Sequence, residues 1–418
     1  MPSPEPCSVE EHLERVLAGV RPMTPVAQPL LDTLGLTCAE DVVAAVSLPG
    51  FDNSAMDGYA VRRADVEAAT AEQPCVLPVV GEIGAGQATL RELPPGAAAK
   101  IMTGAPIPEG ADAVVPYEWT DRGADKVRID RAPEAGQHVR PAGDDVSAGD
   151  LVVAEGTVLG PRQIGLLASV GRATVLARPR PRVVILSTGS ELRDPGEELG
   201  HDSIYDGNSY LLAAAVLRAG AVPHRVGIVT DQAGLFLDTL RRELVGADLV
   251  VTSGGVSQGD FDVVKEALRG EGVWFGGGAM QPGKPQGFGL IDAGPGAGQG
   301  DGKVPIVTLP GNSVSAYISF EMFVLPAIRT LMGRTPVSRP LVDARLTRGM
   351  TSPEGRRQFM RGEVGSDAQG RYVVPVGGPG SHLIGALAEA NSLIVVPEEA
   401  TALSQGDRVQ VLVLDSDF

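Results

Sequence analysis

A chain of 418 residues with 43% apolar content suggests about three domains with ordinary globular interiors. Its formal charge of −17 argues against a nucleic-acid partner, which needs a basic footprint, and no run approaches the ~18 uninterrupted apolar residues of a membrane helix. Three cysteines, Cys7, Cys38 and Cys75, are odd in number and far apart, so neither a disulfide framework nor structural zinc is expected.

The acidic opening MPSPEPCSVEEHLERV is unlike a secretory leader, so a cytoplasmic protein is expected. Residues 8–20 read as an amphipathic helix: Ser8 and Glu11 have capping-box spacing, and Val9, Leu13, Val16, Leu17 and Val20 share one face. A short helix near 30–34 and a strand-like stretch over 39–46 follow. From 48 to about 145 the pattern breaks into strand-length pieces, CVLPVVGEI (75–83), AAAKIMTGAPIP (97–108) and ADAVVPYEW (111–119), which give a separate β-rich domain. Residues 146–180 return to helix, with Pro161 at a first turn and Gly171 at the end of PRQIGLLASVG. If that segment packs against the N-terminal helices, the β domain is an insertion.

From 181 to 333 apolar strands alternate with helices. The strands are VVILS (183–187), VPHRVGIV (222–229), DLVVT (248–252) and VPIVTL (304–309). The helical patterns are YLLAAAVLRAG, QAGLFLDTLRRELV, FDVVKEALRG and SVSAYISFEMFVLPAIRTLMG. Such alternation predicts crossovers and a largely parallel sheet, and AGPGAGQGDGK (293–303) reads as a loop between two of its strands. Beyond Pro336 the pattern is β again, in PLVDARLTRG, RQFMRGEV, YVVPV, NSLIVVP and DRVQVLVL, and a small barrel or sandwich is expected.

Three loops directly follow strands of the α/β region: STGSEL (187–192), TSGGVSQGD (252–260) and LPGNSVSA (309–316). In a parallel sheet they share one edge, where small residues expose backbone N–H groups and helix starts favour negative charge. One such loop is merely a glycine-rich turn, but three predict an anion-binding cleft. Glu191, Asp231, Asp260 and Asp262 fall on the same rim, and a single acid there is by default a helix cap. As a set they suit a Mg²⁺ ion bridging protein and phosphate.

Two other motifs carry less. GVSQG (255–259) satisfies the nucleophile-elbow pattern of serine hydrolases, with His382 downstream, yet SGG intervenes between the strand and Ser257. GAMQPGK (278–284) lacks the Ser or Thr of a P-loop, since Pro285 follows Lys284, and it precedes a strand rather than following one.

The segments LPGFDNSAMDGYAVR (48–62), KIMTGAPIPEGADAVV (100–115), VRPAGDDVSAG (139–149), LSTGSEL, IYDGNSYLL, TSGGVSQGDFD, MQPGKPQGFG and LPGNSVSA, taken in order, closely resemble the MoeA family and the E domain of gephyrin. The resemblance spans nearly the whole chain, and FDNSAMDGYA combined with SGGVSxG and PGKP is highly specific. It implies a multidomain α/β plus β protein of four domains. These are an elongated helical N-terminal domain (1–46 and 146–180), an inserted β-rich domain (47–145), a parallel-sheet molybdopterin-binding α/β domain (181–335) and a C-terminal β barrel (336–418).

Its implied activity is insertion of molybdate into adenylylated molybdopterin, with Mg²⁺-dependent release of AMP. Family active-site positions fall on Asp57, Thr103, Arg140, Asp145, Glu191, Asp231, Asp262, Lys284, Arg361 and Ser381. In this reading Asp231 and Asp262, with Glu191, hold Mg²⁺. Ser253, Gly254, Gly255, Ser257, Pro310 and Asn312 cradle the pterin and its phosphate, while Arg140, Lys284 and Arg361 supply local positive charge. The family also implies a homodimer with a shared active site, and a molybdopterin adenylyltransferase as donor of the substrate. Two departures stand out: Gln281 replaces a basic residue often found before PGKP, and GNS with Ser313 replaces GNP. Rival readings are an adenylyltransferase, which would resemble only about 181–333, and an inactive scaffold.

Overall fold

The computed structural model describes residues 6–86, 90–229, 232–256, 262–294, 302–416 and 418. It divides into two compact units, one from 1–26, 35–39 and 176–418 and the other from 27–34 and 40–175.

Helix α1 (Val9–Ala18) begins at the expected capping box. The Glu11 N–H donates to Ser8 Oγ at 3.0 Å, and the Ser8 N–H donates to Glu11 Oε2 at 2.8 Å. Its buried face, Val9, His12 and Val16, packs on the α/β core, whereas the sequence reading groups it with 146–180. The helix near 30–34 is a short 3₁₀ turn, Leu30–Thr33, and the strand over 39–46 shrinks to Val42–Val43.

Within the second unit, β1 (Gly58–Val61), β2 (Cys75–Ile83), β3 (Ala98–Ile101), β4 (Ala113–Pro116) and β5 (Lys126–Ile129) form one sheet in the order β4-β1-β3-β2-β5. Only β2 and β3 run parallel. Tyr59, Val61, Val115 and Ile129 fill one of its cores, and Ala60, Ile83, Ile101 and Val114 the other. Chain entry and exit of this sheet lie side by side: the Leu48 N–H donates to the Val146 carbonyl at 2.7 Å. Just outside, Val42–Val43 pairs with Leu151–Val153, and α2 (Pro161–Ser169) packs on the 3₁₀ turn. The sheet is thus an insertion whose flanking segments are of mixed structure, with one regular helix rather than several among their described residues.

In the α/β part of the first unit, β6 (Arg182–Thr188), α3 (Gly207–Arg218), β7 (Val222–Val229), α4 (Ala233–Glu243), β8 (Leu249–Ser253), α5 (Val263–Leu268), β9 (Trp274–Gly277), β10 (Pro285–Asp292) and β11 (Lys303–Leu309) follow in sequence. The sheet order is β7-β6-β8-β11-β10-β9. The first four strands are parallel, and β10 and β9 extend the sheet antiparallel. Val184, Leu186, Val250 and Ile306 bury one face against Phe236, Leu240, Val264 and Leu268 of α4 and α5. The alternate residues Val183, Ile185, Val251 and Val307, all fully buried, turn the other way, where α3 and α6 (Ser313–Leu331) contact β6 and β11. Both faces are covered, which is why these strands read as unbroken apolar runs.

Helix α6 is long and apolar enough to span a membrane by composition, but 83% of its apolar window is buried within the fold. It is a core helix. Pro326 lacks an N–H and crowds the preceding turn, and Phe320–Val324 widens to a π turn there, with the Leu325 N–H donating to the Phe320 carbonyl five residues back.

The terminal strands β12 (Leu341–Leu346), β13 (Arg357–Asp367), β14 (Gly370–Pro375), β15 (Ser392–Val396) and β16 (Arg408–Val413) close into a five-stranded barrel, because β13 pairs with both β14 and β15. Val373, Ile394, Val396 and Val411 fill it. A short strand, Met280–Gln281, adds in parallel to the start of β13.

Candidate active site

The loops after β6, β8 and β11 share one rim, since these strands are parallel neighbours with Ser187 opposite Ser253 and Ser253 opposite Leu309. Gly254 leaves β8 at φ +93°, and a Cβ there would meet the Thr188 carbonyl oxygen at 2.7 Å. Only glycine lets the loop cross the end of β6 this closely. Its N–H donates to the Leu309 carbonyl at 3.2 Å. Asn208, in the first turn of α3, donates through Nδ2 to Ser253 Oγ at 2.9 Å and to the Gly311 carbonyl at 2.6 Å. Asp206 caps that helix, its Oδ1 accepting from the Ser209 N–H at 3.0 Å and the Ser187 hydroxyl at 3.1 Å. One helix start therefore ties the three loops together. Sequence reasoning assigned Asp206 and Asn208 no role, although DGN directly before an apolar helix carries the signal.

A fourth loop brings Lys284 to the same rim. Buried Gln286 donates through Nε2 to the Gly283 carbonyl at 2.6 Å and to Ser319 Oγ at 2.7 Å, which pins the turn and leaves Lys284 exposed. The barrel supplies a fifth: Asn312 Nδ2 donates to Ser381 Oγ at 3.0 Å, and the Val314 N–H donates to the Ser381 carbonyl at 3.2 Å. These loops line a cleft of about 1060 Å³, room for a ligand of several rings.

Of the expected residues, Glu191, Ser253, Gly254, Gly255, Lys284, Pro310, Asn312 and Ser381 line the cleft, joined by Asp206, Asn208, Gln281, Arg356 and His382. Asp262 stands just before α5, at its N-cap. Asp231, Ser257 and Asp260 lie outside the described residues.

Arg361 requires a correction. It is only 1% exposed, and its guanidinium donates to the Gly378 carbonyl and, at 3.1 Å, to the Gly380 carbonyl. Burial pulls its pKa below the ordinary arginine value. Arg361 therefore holds the 377–381 loop, and through it Ser381, rather than offering a free cation to the cleft.

In the second unit, Asp57 Oδ1 accepts from both the Thr103 N–H, at 2.7 Å, and the Thr103 hydroxyl, at 2.8 Å. These two bonds hold its carboxyl below the usual range. Arg140 pairs with Asn53 in a short ladder, and the Asp145 N–H donates to the Leu48 carbonyl at 3.0 Å. Asp57, Thr103, Arg140 and Asp145 are all exposed, Arg140 on the short ladder and the others on loops beside it. Gly58 is required structurally, since a Cβ there would lie 2.0 Å from the Val115 carbonyl oxygen.

Among the described residues no three His, Cys, Asp or Glu side chains converge on one metal position. Mg²⁺ commonly takes one or two carboxylates plus phosphate oxygens. Glu191 on the cleft and Asp262 at the start of α5 are donors of that type.

A parallel-sheet core whose carboxyl edge opens on a glycine-lined, cation-bearing cleft is matched over 184–330 by the model of a probable molybdopterin binding domain. Models of the MoeA N-terminal region (domain I and II) and the MoeA C-terminal region (domain IV) match 7–171 and 343–414. Molybdopterin molybdenumtransferase 2 of Mycobacterium tuberculosis (strain ATCC 25618 / H37Rv) is 46% identical over 97% of this chain and 98% of its own. The molybdopterin molybdenumtransferase of Bacillus subtilis (strain 168) is 34% identical over 98% and 94%. Among solved structures, the molybdopterin biosynthesis moea protein from Pyrococcus horikosii superposes with a TM-score of 0.83 at 31% identity, covering 99% of this chain and 100% of that one. This chain belongs to the MoeA family of molybdenum cofactor biosynthesis.

Proposed function

We infer that the chain is a molybdopterin molybdenumtransferase that inserts molybdate into adenylylated molybdopterin with release of AMP. The observation that carries this beyond family membership is the cleft itself, in which five loops from the α/β core and the barrel converge and exposed Lys284 stands in a chain of net charge −17. The backbone around Gly254 and Gly255 approaches the phosphate, Lys284 offsets oxyanion charge, and the Asn312–Ser381 pair orients the reacting end. The two carboxylates Glu191 and Asp262, with Asp231, would hold Mg²⁺, which when bound neutralises charge on the phosphoanhydride. The dithiolene sulfurs that receive molybdenum belong to the substrate, so Cys7, Cys38 and Cys75 need no role.

The exposed set Asp57, Thr103, Arg140 and Asp145 acts on the same substrate from the second subunit of a homodimer. A closed twofold dimer then has two such sites. Substrate comes from a molybdopterin adenylyltransferase, and the reaction takes place in the cytoplasm.

Purified protein supplied with adenylylated molybdopterin, molybdate and Mg²⁺ should release AMP in proportion to molybdate added. Asp262→Asn should fold normally and lose most of that turnover, because an amide is a poorer Mg²⁺ ligand. Absence of molybdate-dependent AMP from the parent protein would leave the inactive-scaffold reading in its place.

A further inference from the structure

We propose that His382 is the catalytic proton relay of this cleft, carrying protons from the sulfurs of the substrate to the molybdate oxygen that leaves. The proposal rests on the molybdenumtransferase reading and adds to it the group that moves the protons.

The reaction sets the need. Joining molybdate to an enedithiol forms two Mo–S bonds and breaks two S–H bonds and one Mo–O bond. The departing oxygen takes both protons and leaves as one water, and nothing is oxidised or reduced. Each proton must cross from sulfur to oxygen, a transfer that a side chain able to accept and return it near neutral pH accelerates.

Three observations point to His382. First, it lines the cleft and is exposed, and no hydrogen bond or ion pair engages its ring among the described residues. A structural histidine would be tied down, and a hydrolase triad would set an acid on the ring. Second, the backbone on either side is fixed while the ring is free. Ser381 accepts from Asn312 Nδ2 at 3.0 Å and from the Val314 N–H at 3.2 Å, and the Ile384 N–H donates to the His382 carbonyl at 2.9 Å. Gly380 makes room for the imidazole, since a Cβ there would lie 3.1 Å from its Cε1.

Third, imidazole is the one side-chain type in the cleft that ordinarily titrates between about pH 5 and 8. The other ionisable groups lining it are Glu191, Tyr205, Asp206, Lys284 and Arg356. Arg361 lies behind the loop, on the Gly380 carbonyl, and the short helix that follows, Ile384–Glu389, carries no charge before Glu389. Asp206 Oδ1 is committed to the Ser187 hydroxyl and the Ser209 N–H. The Tyr205 hydroxyl donates to the Glu197 carbonyl at 2.9 Å, and Glu191 is assigned to Mg²⁺. His382 is the group left to take and give a proton.

The test follows initial rates of molybdenum transfer by the full chain, counted as molybdenum in the pterin product, from about pH 5 to 9. His382→Ala should lower kcat about 100–10,000-fold, the usual worth of a general acid–base, and leave the molybdate KM and the melting temperature unchanged. The parental limb between about pH 5 and 8 should vanish, and added imidazole should restore part of the rate. His382→Gln, which hydrogen-bonds but does not exchange protons, should behave as the alanine variant does.

Parental kcat in both variants would overturn the proposal. A raised molybdate KM at parental kcat would overturn it too, by making His382 a binding group. So would a loss that imidazole fails to restore and that leaves the pH profile unchanged, which would make the role structural. In each of these cases the parent still transfers molybdenum and the proposed function stands. A parent that transfers none would remove the proposed function and this inference together.

Discussion

Gly254→Ala tests how the cleft is built. The native φ of +93° costs an alanine about 1–3 kcal/mol. The new methyl would also lie 2.7 Å from the Thr188 carbonyl oxygen. Thr188 is 6% exposed and pairs with Val229 at the end of a buried strand, so it has little room to retreat. Relieving such an overlap adds about 1–3 kcal/mol. Together these put the change at about 2–6 kcal/mol, above the ~1 kcal/mol of an average substitution. If the strain stays in the native state, the melting temperature of the α/β core should fall by at least about 4 °C, at about 2–4 °C per kcal/mol. If the loop swings away instead, molybdate or phosphate affinity should fall about tenfold or more, at about 1.4 kcal/mol per decade. Scanning calorimetry and anion titration on one preparation read both. Gly234→Ala makes the same chemical change in the exposed first turn of α4, where nothing beyond its own turn of helix lies within 4 Å of the new methyl, and should stabilise by up to about 1 kcal/mol. A Gly254→Ala protein that melts and binds like the parent would refute the close-approach argument.

Stability should fall in acid through His12, which is fully buried against Trp274 and Phe323. Desolvation, then nearby Arg15, lowers its pKa to about 4. The unfolded chain therefore binds the proton more readily, and stability present above pH 6.5 declines by about 3 kcal/mol on going down to about pH 4. His12→Leu should flatten that slope in unfolding curves followed by Trp fluorescence, and an unchanged slope would clear His12. Arg339→Leu should destabilise by about 3–5 kcal/mol because it strands buried Glu321, its partner at 2.7 Å, whereas replacing both by leucine should cost far less; equal losses would contradict this. Gln286→Leu leaves the Gly283 carbonyl and buried Ser319 hydroxyl without their donor, at about 1–3 kcal/mol each, and should weaken anion binding through Lys284 as well as lower the melting temperature. For the shared site, inactive Asp57→Ala and Asp262→Ala proteins should regain activity when their subunits exchange, since a mixed dimer has one intact site; demonstrated exchange without recovery would reject the model.

The α/β core was legible because its strands are buried on both faces and its helices alternate with them, so apolar runs and helical periodicity each stand out. All five barrel strands were legible for a related reason, each being closed by Gly, Pro or a charged turn. β1 was not: Gly58–Val61 is buried throughout, shows no alternation and sits inside a motif noticed for its polar residues. β9 was hidden by the run of glycines at 276–278, which belongs to a strand edge rather than a turn. The grouping of α1 could not be read either, because an amphipathic face says that a helix is buried but not against what. At the site, residue types were recognisable and their partners were not. Arg361 looked like a cation for the ligand, yet the two carbonyls that use it lie 17 and 19 residues away in sequence. Asp206 is an ordinary cap residue and Asn208 an ordinary first-turn residue until the three loops that they join are placed together.

An acidic protein that must hold an anionic substrate has a physical problem, since its net field repels what its cleft receives. The structure answers it by local assignment of charge. Arg357 is matched by Glu10 and Glu398, Arg339 by Glu321, Arg225 by Asp194 and Arg172 by Glu40. Lys284 and Arg356 have no such match among the described residues and line the cleft. What remains is the rigid placement of the loops, in which the Gly254 N–H is spent on the Leu309 carbonyl. That placement is set by neutral hydrogen bonds from Asn208 and Gln286 and by the buried guanidinium of Arg361. Changes in those supports should therefore act on affinity through geometry and be nearly insensitive to salt, whereas changes at Lys284 and Arg356 should act through charge and diminish as ionic strength rises.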